Sequence, residues 1–265
     1  MSALSDRPGL GILFIIFGVT AISVNDMLIK LLSGAYPLHE IVAVRAGVGL
    51  VITLMLVQVE GGFRLLRTTT PMLHVARGLM VVLANMTFYA AFAVLSLAQV
   101  TALFFVAPLF ITLLSIPFLG EKVGPLRIGA VLVGFLGVLV MQQPWKDELE
   151  TSRAVLLLPV IAAFFYAVLQ VMTRRLGLTT RASAMAVYLQ ATFLIVAFCF
   201  WLVAGDGRYA DRVESDALRF LLRPWVWPDP RDLLVLLCLG TLSGFVGYAL
   251  SSAYRLAAAA TIAPF

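Results

Sequence analysis

The chain has 265 residues, of which 62% are hydrophobic and only 12% are charged. A mean hydropathy of +1.01 is far above that of soluble domains, so lipid must solvate much of the chain. The formal net charge of +5 is no evidence for a nucleic-acid partner. The cations lie mostly between apolar runs, where they set the orientation of spans in a membrane.

Apolar runs that approach the roughly 20 residues needed to cross a bilayer recur along the chain. Residues 78–120 carry no charge, and a break near residues 95–99 divides them between a third and a fourth span. The other predicted spans are Gly9–Leu32, Glu40–Val59, Pro125–Met141, Ala154–Thr173, Ala182–Ala204 and Leu233–Ser252, with a ninth that begins near Arg255.

Lys and Arg concentrate on one side of these spans when the N-terminus is placed in the cytoplasm. The loop Gly205–Asp232 is the exception, because it holds five arginines on the other side. Its charge is nearly balanced, and Ala217–Trp227 mixes aromatics and leucines with arginines, which predicts an interfacial helix. We therefore predict a multi-pass protein with a cytoplasmic N-terminus.

Part of the sequence occurs twice. Phe105-Val106-Ala107-Pro108-Leu109 returns as Thr261-Ile262-Ala263-Pro264-Phe265, and Ser96 aligns with Ser252 at the same offset. At another constant offset, Asp26 and Lys30 align with Gln170 and Arg174. These matches predict two repeats, residues 1–143 and 144–265. An odd number of spans in each repeat inverts the second, a construction typical of secondary transporters with a site between the repeats.

The stretches FLGEKVGPLRIGAVLVGFLGVLVM and AYRLAAAATIAPF resemble the EamA family of the drug/metabolite transporter superfamily. The resemblance implies an all-α polytopic membrane protein of two inverted five-helix repeats, with both termini cytoplasmic and a central cavity. About eight and a half of the family's ten helices are present here. We therefore expect a chain truncated in its ninth helix.

Charges inside spans are costly and indicate function or pairing. Asp26 and Lys30 share a face of the first span, and Arg45 enters the second at a comparable depth. A cluster of Asp26 with Arg45 or Lys30 either fixes helix packing or recognises substrate or protons. Lys30 alone is expected to reach toward the interface. On the third span, Arg77, Asn85 and Tyr89 lie within about 120° of one another around the helix axis and so form a polar stripe.

Other groups extend this predicted pathway. Pro108 should kink the fourth span and free a carbonyl, and Phe105 could stack on a planar or cationic ligand. Each prediction has a plainer alternative in ordinary packing or an interhelical hydrogen bond. The predicted substrate-pathway residues are Asp26, Arg45, Arg77, Asn85, Tyr89, Phe105, Pro108, Tyr166, Gln170 and Tyr248.

Two further features predict structural roles. Glu121 lies near the first turn of the fifth span, where the helix dipole favours a carboxylate. Gly129, Gly134 and Gly137 should allow another helix to approach that span closely.

No GxxxxGK[ST] loop, HExxH motif or Cys/His ligand set occurs, so we predict no cofactor, no metal site and no enzymatic activity. The predicted function is secondary transport of small organic metabolites, amino-acid-like or nucleoside-type such as S-adenosylmethionine, across the bacterial inner (plasma) membrane. The partners are the substrate and the bilayer, without nucleic acid, and a homodimer is left open. The alternatives are a non-transporting assembly or regulatory subunit and a membrane-embedded enzyme.

Overall fold

The computed structural model describes residues 7–142, 153–210 and 216–264, and the regular structure of these residues is helical throughout. A short 3-10 turn, Phe63–Leu66, joins the second and third helices. The helices are α1 (Pro8–Leu32), α2 (Leu38–Glu60), α3 (Pro71–Ala91), α4 (Leu97–Phe104), α5 (Ala107–Leu119), α6 (Pro125–Gln142), α7 (Arg153–Leu176), α8 (Ala182–Ala204), α9 (Asp216–Leu222), α10 (Pro230–Leu256) and α11 (Ala259–Ile262).

Seven segments of the described residues are long and apolar enough to cross a membrane. They are α1, α2, α3, α4 together with α5, α7, α8 and α10. Helix α6 adds a shorter apolar stretch, Ile128–Gly137. The predicted all-helical polytopic membrane protein is therefore confirmed, and most predicted span ends fall within a few residues of the observed ones.

The long helices pack in pairs. α1 lies along α10, α3 lies along α7, and α2 packs against both α8 and α10. Two ends of the bundle can be named by their residues. At the Lys30 end, α1 meets the end of α3, and Lys30 Nζ donates a hydrogen bond to the carbonyl oxygen of Phe92. At the Glu60 end, the carboxylate of Glu60 accepts hydrogen bonds from α8 and α10.

Glycines permit the closest helix contacts. A Cβ atom added at Gly240 of α10 would lie 2.5 Å from the Cβ of Val48 on α2, and one at Gly78 of α3 would lie 2.5 Å from Thr192 Oγ1 on α8. A side chain at either position would force the two helices apart.

The glycines predicted for this role lie elsewhere. An added Cβ at Gly129, Gly134 or Gly137 of α6 would meet no other described atom within 4 Å. That prediction was wrong for the described part of the chain, because neighbours in space decide which glycines matter and sequence spacing does not give them.

The fourth span is broken between α4 and α5. Pro108 has no N–H, so the carbonyl of Phe104 loses the donor that a continuous helix would supply. Around the break, Phe105 N donates to both Thr101 O and Ala102 O, at 3.1 and 3.2 Å, and Leu109 N donates to Val106 O at 3.1 Å. The bonds to Ala102 and Val106 follow the tighter i to i−3 pattern. The predicted kink is therefore a true interruption of the helix.

Glu121 stabilises a different helix from the one predicted. Its two carboxylate oxygens accept hydrogen bonds from the backbone N–H groups of Ala259 and Ala260, at 2.8 and 2.9 Å. These groups open the first turn of α11, where the N–H donors have no partner within the helix. Glu121 thus joins the turn after α5 to the start of α11, and its expected role at the start of the fifth span was wrong.

Replacing Glu121 with glutamine should loosen the start of α11. Glutamine keeps one acceptor but loses the negative charge and one of the two bonds, which costs about 1 kcal/mol. Hydrogen–deuterium exchange of the amides at Ala259–Thr261 should therefore speed up about fivefold. The neighbouring exposed Lys122→Gln variant is the control. Unchanged exchange in Glu121→Gln would show that this cap contributes nothing.

The serine pair of the predicted repeat does not occupy equivalent positions. Ser96 is the N-cap of α4 and accepts a hydrogen bond from Gln99 N, whereas Ser252 lies inside α10. The N-cap that precedes α11 is Ala258, and Pro264 follows the end of α11 at Ile262, whereas Pro108 lies in the first turn of α5. The boundary at residues 143 and 144, and Phe265, lie outside the described residues.

The described part of the connection between α8 and α10 lies against the Lys30 end. Its helix α9 is shorter than the predicted Ala217–Trp227 and packs on α2 and α3, with Phe220 buried in the core. Arg223 Nη1 donates to the carbonyl of Gly34 at 2.9 Å, and Tyr36 donates to Asp232 at 2.6 Å. This connection therefore holds α2 and α10 together at that end.

Candidate functional site

A cavity of about 300 Å³ lies in the centre of the bundle. Its walls come from α1, α2, α3, the break between α4 and α5, α7, α8, α10 and the residues around α11. Nine of the ten predicted pathway residues line it: Asp26, Arg45, Arg77, Asn85, Tyr89, Phe105, Pro108, Tyr166 and Gln170. Residues far apart in the sequence thus face one space, although their role there stays a prediction.

Asp26 and Arg45 are connected through Tyr89. The Tyr89 hydroxyl donates to Asp26 Oδ1 at 3.1 Å and accepts from Arg45 Nη1 at 3.3 Å. The guanidinium also lies over two aromatic rings, 5.7 Å from the centre of Tyr89 and 5.0 Å from that of Phe193. Three helices therefore hold a carboxylate, a phenol and a guanidinium in a fixed order.

Lys30 does not join this cluster. Its ammonium donates to the carbonyl of Phe92 and lies 5.9 Å from the centre of the Phe92 ring. Arg45 and Lys30 were the two partners predicted for Asp26. Arg45 lies in the cluster with Asp26, whereas Lys30 lies at the end of the bundle.

Arg77 connects four helices from its position on α3. Its Nε donates to Thr173 Oγ1 on α7 at 2.8 Å, its Nη1 to the carbonyl of Met185 on α8 at 3.0 Å, and its Nη2 to Ser251 Oγ on α10 at 3.4 Å. The side chain is only 3% exposed. All three nitrogens thus have partners, each of them neutral, which suits a structural centre beside the cavity.

The remaining polar residue of the α3 stripe bonds within its own helix. Asn85 Nδ2 donates to the carbonyl of Val81 at 3.0 Å. This bond lies within α3 and is therefore not the interhelical hydrogen bond that was the alternative role for Asn85. Its side chain is half-buried and lines the cavity.

Aromatic rings form one side of the cavity. Phe104 makes edge contacts with Phe88 and Tyr166, at centroid distances of 4.9 and 5.2 Å. Phe105, which precedes Pro108, is 67% exposed and also borders the cavity. These rings offer both faces and edges to a planar guest.

Tyr248 is the predicted residue that the structure places elsewhere. Its hydroxyl donates to Glu60 Oε1 at 2.7 Å, while Ser183 Oγ donates to Glu60 Oε2 at 2.6 Å. These bonds join α2, α8 and α10 at the Glu60 end. Neither Glu60 nor Ser183 is among the residues predicted from the sequence, although a carboxylate at the end of a span is a visible signal.

Further hydrogen bonds join the ends of α7 and α10 at the Glu60 end. Arg174 Nη1 donates to the carbonyl of Arg255 at 3.0 Å, and Arg255 Nε donates to that of Gly177 at 3.1 Å. Toward the other end, a second pocket lined by Leu97 and Ala98 shares Ser23, Asp26 and Thr101 with the central cavity. The cavity therefore adjoins space near the start of α4.

Three further polar residues were missed from the sequence. Asn25 and Ser243 line the cavity, and Gln190 Nε2 donates to Ser243 Oγ at 3.1 Å. Asn25 and Gln190 are amides inside apolar runs, so their polarity was a usable signal. Within the described residues, no group of three or more His, Cys, Asp or Glu side chains is placed to hold a metal ion.

A membrane-spanning bundle that turns its buried charges toward an internal cavity has the architecture of a solute carrier. Comparison with known families agrees. Residues 9–142 match the EamA-like transporter family, and the chain belongs to that family. It is therefore a multi-pass membrane protein and a small-molecule transporter rather than an enzyme.

Several characterised bacterial proteins are similar to the chain. A riboflavin transporter of Brucella anthropi is 29% identical over 82% of this chain and 70% of its own length. An S-adenosylmethionine uptake transporter of Rickettsia prowazekii is 23% identical over 96% and 79%. A pseudopaline exporter of Pseudomonas aeruginosa is 30% identical over 71% and 64%.

The fold also occurs in a solved crystal structure. That chain superimposes with a TM-score of 0.68 at 20% sequence identity, over 95% of this chain and 84% of the other. At this identity the likeness establishes the fold alone.

Proposed function

We propose that this transporter moves a small amphoteric organic metabolite, amino-acid-like or nucleoside-type, by alternating access of the central cavity. One observation carries the proposal: Asp26, Arg45 and Arg77 from three different helices all face a single cavity lined by aromatic rings. A site with charges of both signs suits a solute that itself has both. The similar proteins transport riboflavin and S-adenosylmethionine, both nitrogen-rich ring compounds, which supports this class.

The proposal includes two inverted repeats, residues 1–143 and 144–265, in a bacterial inner membrane with a cytoplasmic N-terminus. Helix pairing supports the repeats. If α1 corresponds to α7 and α3 to α10, the contact of α1 with α10 mirrors the contact of α3 with α7. The positions of Lys and Arg described above support the orientation.

Alternating access needs one end of the cavity to close while the other opens. The bonds of Glu60, Arg174 and Arg255 hold the Glu60 end together. In the proposed orientation this is the cytoplasmic end, so the described conformation faces outward. Inward opening would then require those bonds to break.

Replacing Asp26 with asparagine should lower transport at least tenfold. Asparagine keeps the size of the side chain but removes the charge that Tyr89 connects to Arg45. The measurement is uptake of labelled riboflavin and S-adenosylmethionine by proteoliposomes that contain the whole protein. Asp206→Asn, outside the spans and exposed, is the matched control and should transport normally.

Two results would contradict the proposal. If Asp26→Asn transported as well as the unaltered protein, the charge would serve packing alone. If the unaltered protein moved neither compound nor any member of an amino-acid and nucleoside panel, the alternative of a non-transporting assembly subunit would be favoured.

A further inference from the structure

Arg45 is buried without a full set of partners. It is 4% exposed, and its Nη1 donates to Tyr89, but its Nε and Nη2 have no hydrogen-bond partner among the described residues. None of the hydrogen bonds and ion pairs found in the described part of the chain joins Arg45 directly to a carboxylate. A buried cation thus belongs to the cavity lining and has two donor atoms, Nε and Nη2, without a partner among the described residues.

The two unused atoms belong to one edge of the guanidinium group. The N–H bonds of Nε and Nη2 run nearly parallel in the plane of the group, at the spacing of the two oxygens of a carboxylate. Nη1, on the other side, is occupied by Tyr89. The free edge therefore has the geometry for a planar group with two acceptor oxygens.

The guanidinium is also held in place before any ligand arrives. Tyr89 and Phe193 lie beside it, with ring centres 5.7 and 5.0 Å from Cζ. Because the side chain is already ordered, a ligand would lose little binding energy in fixing it. Buried donors without partners are destabilising, so a bound anion would remove an existing penalty.

Arg77 provides the contrast within the same cavity. Its three nitrogens all donate to protein oxygens, on α7, α8 and α10. It has the same charge and equal burial but no free edge. Only Arg45 therefore combines positive charge, burial and unused donors among the described arginines that line the cavity.

A second unpartnered atom indicates what else the ligand carries. Asn25, 4% exposed, donates through Nδ2 to the carbonyl of Leu239 on α10, while its Oδ1 has no partner among the described residues. Asn25 lines the cavity beside Asp26. An amide oxygen and a carboxylate together favour a ligand with N–H groups.

We propose that Arg45 is the anion-recognition residue of the cavity and that its free edge binds the carboxylate of an organic acid that also carries N–H donors. This rests on the proposed function, in which the cavity is the substrate site. It narrows the substrate from amphoteric metabolites in general to carboxylates that dock side-on to one guanidinium.

Matched acid and amide pairs test the assignment. Purified whole protein in lipid nanodiscs is titrated with indole-3-acetate and indole-3-acetamide, and with benzoate and benzamide, and binding is followed by thermal shift. The acids should bind about 10- to 100-fold more tightly than the amides, because paired charge-assisted bonds are lost in the amides.

Three variants locate this preference. Arg45→Gln should abolish the preference for acids over amides. Arg45→Lys should reduce it about tenfold, because an ammonium group keeps the charge but lacks two parallel N–H donors. Arg64→Lys, at an exposed arginine in the turn between α2 and α3 and outside the cavity lining, should keep it. If a variant at Arg45 does not fold, the comparison of acids with amides on the unaltered protein still tests the proposed preference.

The outcomes separate the two proposals. Equal binding of acids and amides by the unaltered protein, or a preference that persists in Arg45→Gln, overturns the role of Arg45 even if uptake is observed. A preference that depends on Arg45, without uptake of any compound in proteoliposomes, supports the anion site and overturns the proposed transport.

Discussion

Replacing Arg77 with methionine is expected to destabilise the protein by about 3 kcal/mol. The change removes three hydrogen bonds, each worth about 1 kcal/mol in a membrane interior. It also leaves the Thr173 and Ser251 hydroxyls and the Met185 carbonyl without the donor that now satisfies them. Because these partners lie on α7, α8 and α10, the loss affects the whole bundle rather than one helix.

The measurement is the free energy of unfolding in mixed micelles, obtained from denaturant titration. Arg64→Met is the control, since Arg64 is exposed in the turn between α2 and α3 and should change stability by less than about 0.5 kcal/mol. Equal stability of the two variants would show that Arg77 is not the structural centre inferred here.

The second large effect is expected from Gly240→Ala. The added Cβ would lie 2.5 Å from the Cβ of Val48 and 3.1 Å from the carbonyl oxygen of Arg45. Neither atom can move without its backbone, so α10 must shift away from α2. Overpacking of this kind typically costs about 1–3 kcal/mol. The shift would also displace Arg45, so ligand binding should weaken together with stability.

Gly134→Ala on α6 is the matched control. Its added Cβ meets no described atom within 4 Å, and alanine is a better helix former than glycine by about 1 kcal/mol. This variant should therefore unfold at the same temperature as the unaltered protein or a slightly higher one. If Gly240→Ala behaved in the same way, the contact between α2 and α10 would be looser than described.

The spans and most cavity residues could be predicted from the sequence because their signals are local. Long apolar runs mark helices that cross a membrane, and charges such as Asp26, Arg45 and Arg77 are too costly to face lipid. The hydrophobic pattern therefore gives both the helices and the residues that must turn inward.

The partners of these residues could not be predicted, because they depend on which helices are neighbours. Nothing near Arg77 in the sequence points to Thr173 or Ser251, and the motif around Glu121 does not reveal that it caps α11. The glycines show the same limit. Gly129 and Gly240 look alike in sequence, yet only at Gly240 would an added Cβ contact another helix of the described part of the chain.

The charges around the cavity have an electrical consequence. Among the described residues that line the cavity, Asp26 contributes one formal negative charge, and Arg45 and Arg77 contribute two positive charges. The lining therefore has one formal net positive charge. A transmembrane voltage acts on such a charge by about 2.3 kcal/mol per 100 mV if it crosses the whole field. A cargo with one net negative charge would cancel it, so such a loaded carrier should reorient without current, whereas the empty carrier or one loaded with a zwitterion should respond to voltage.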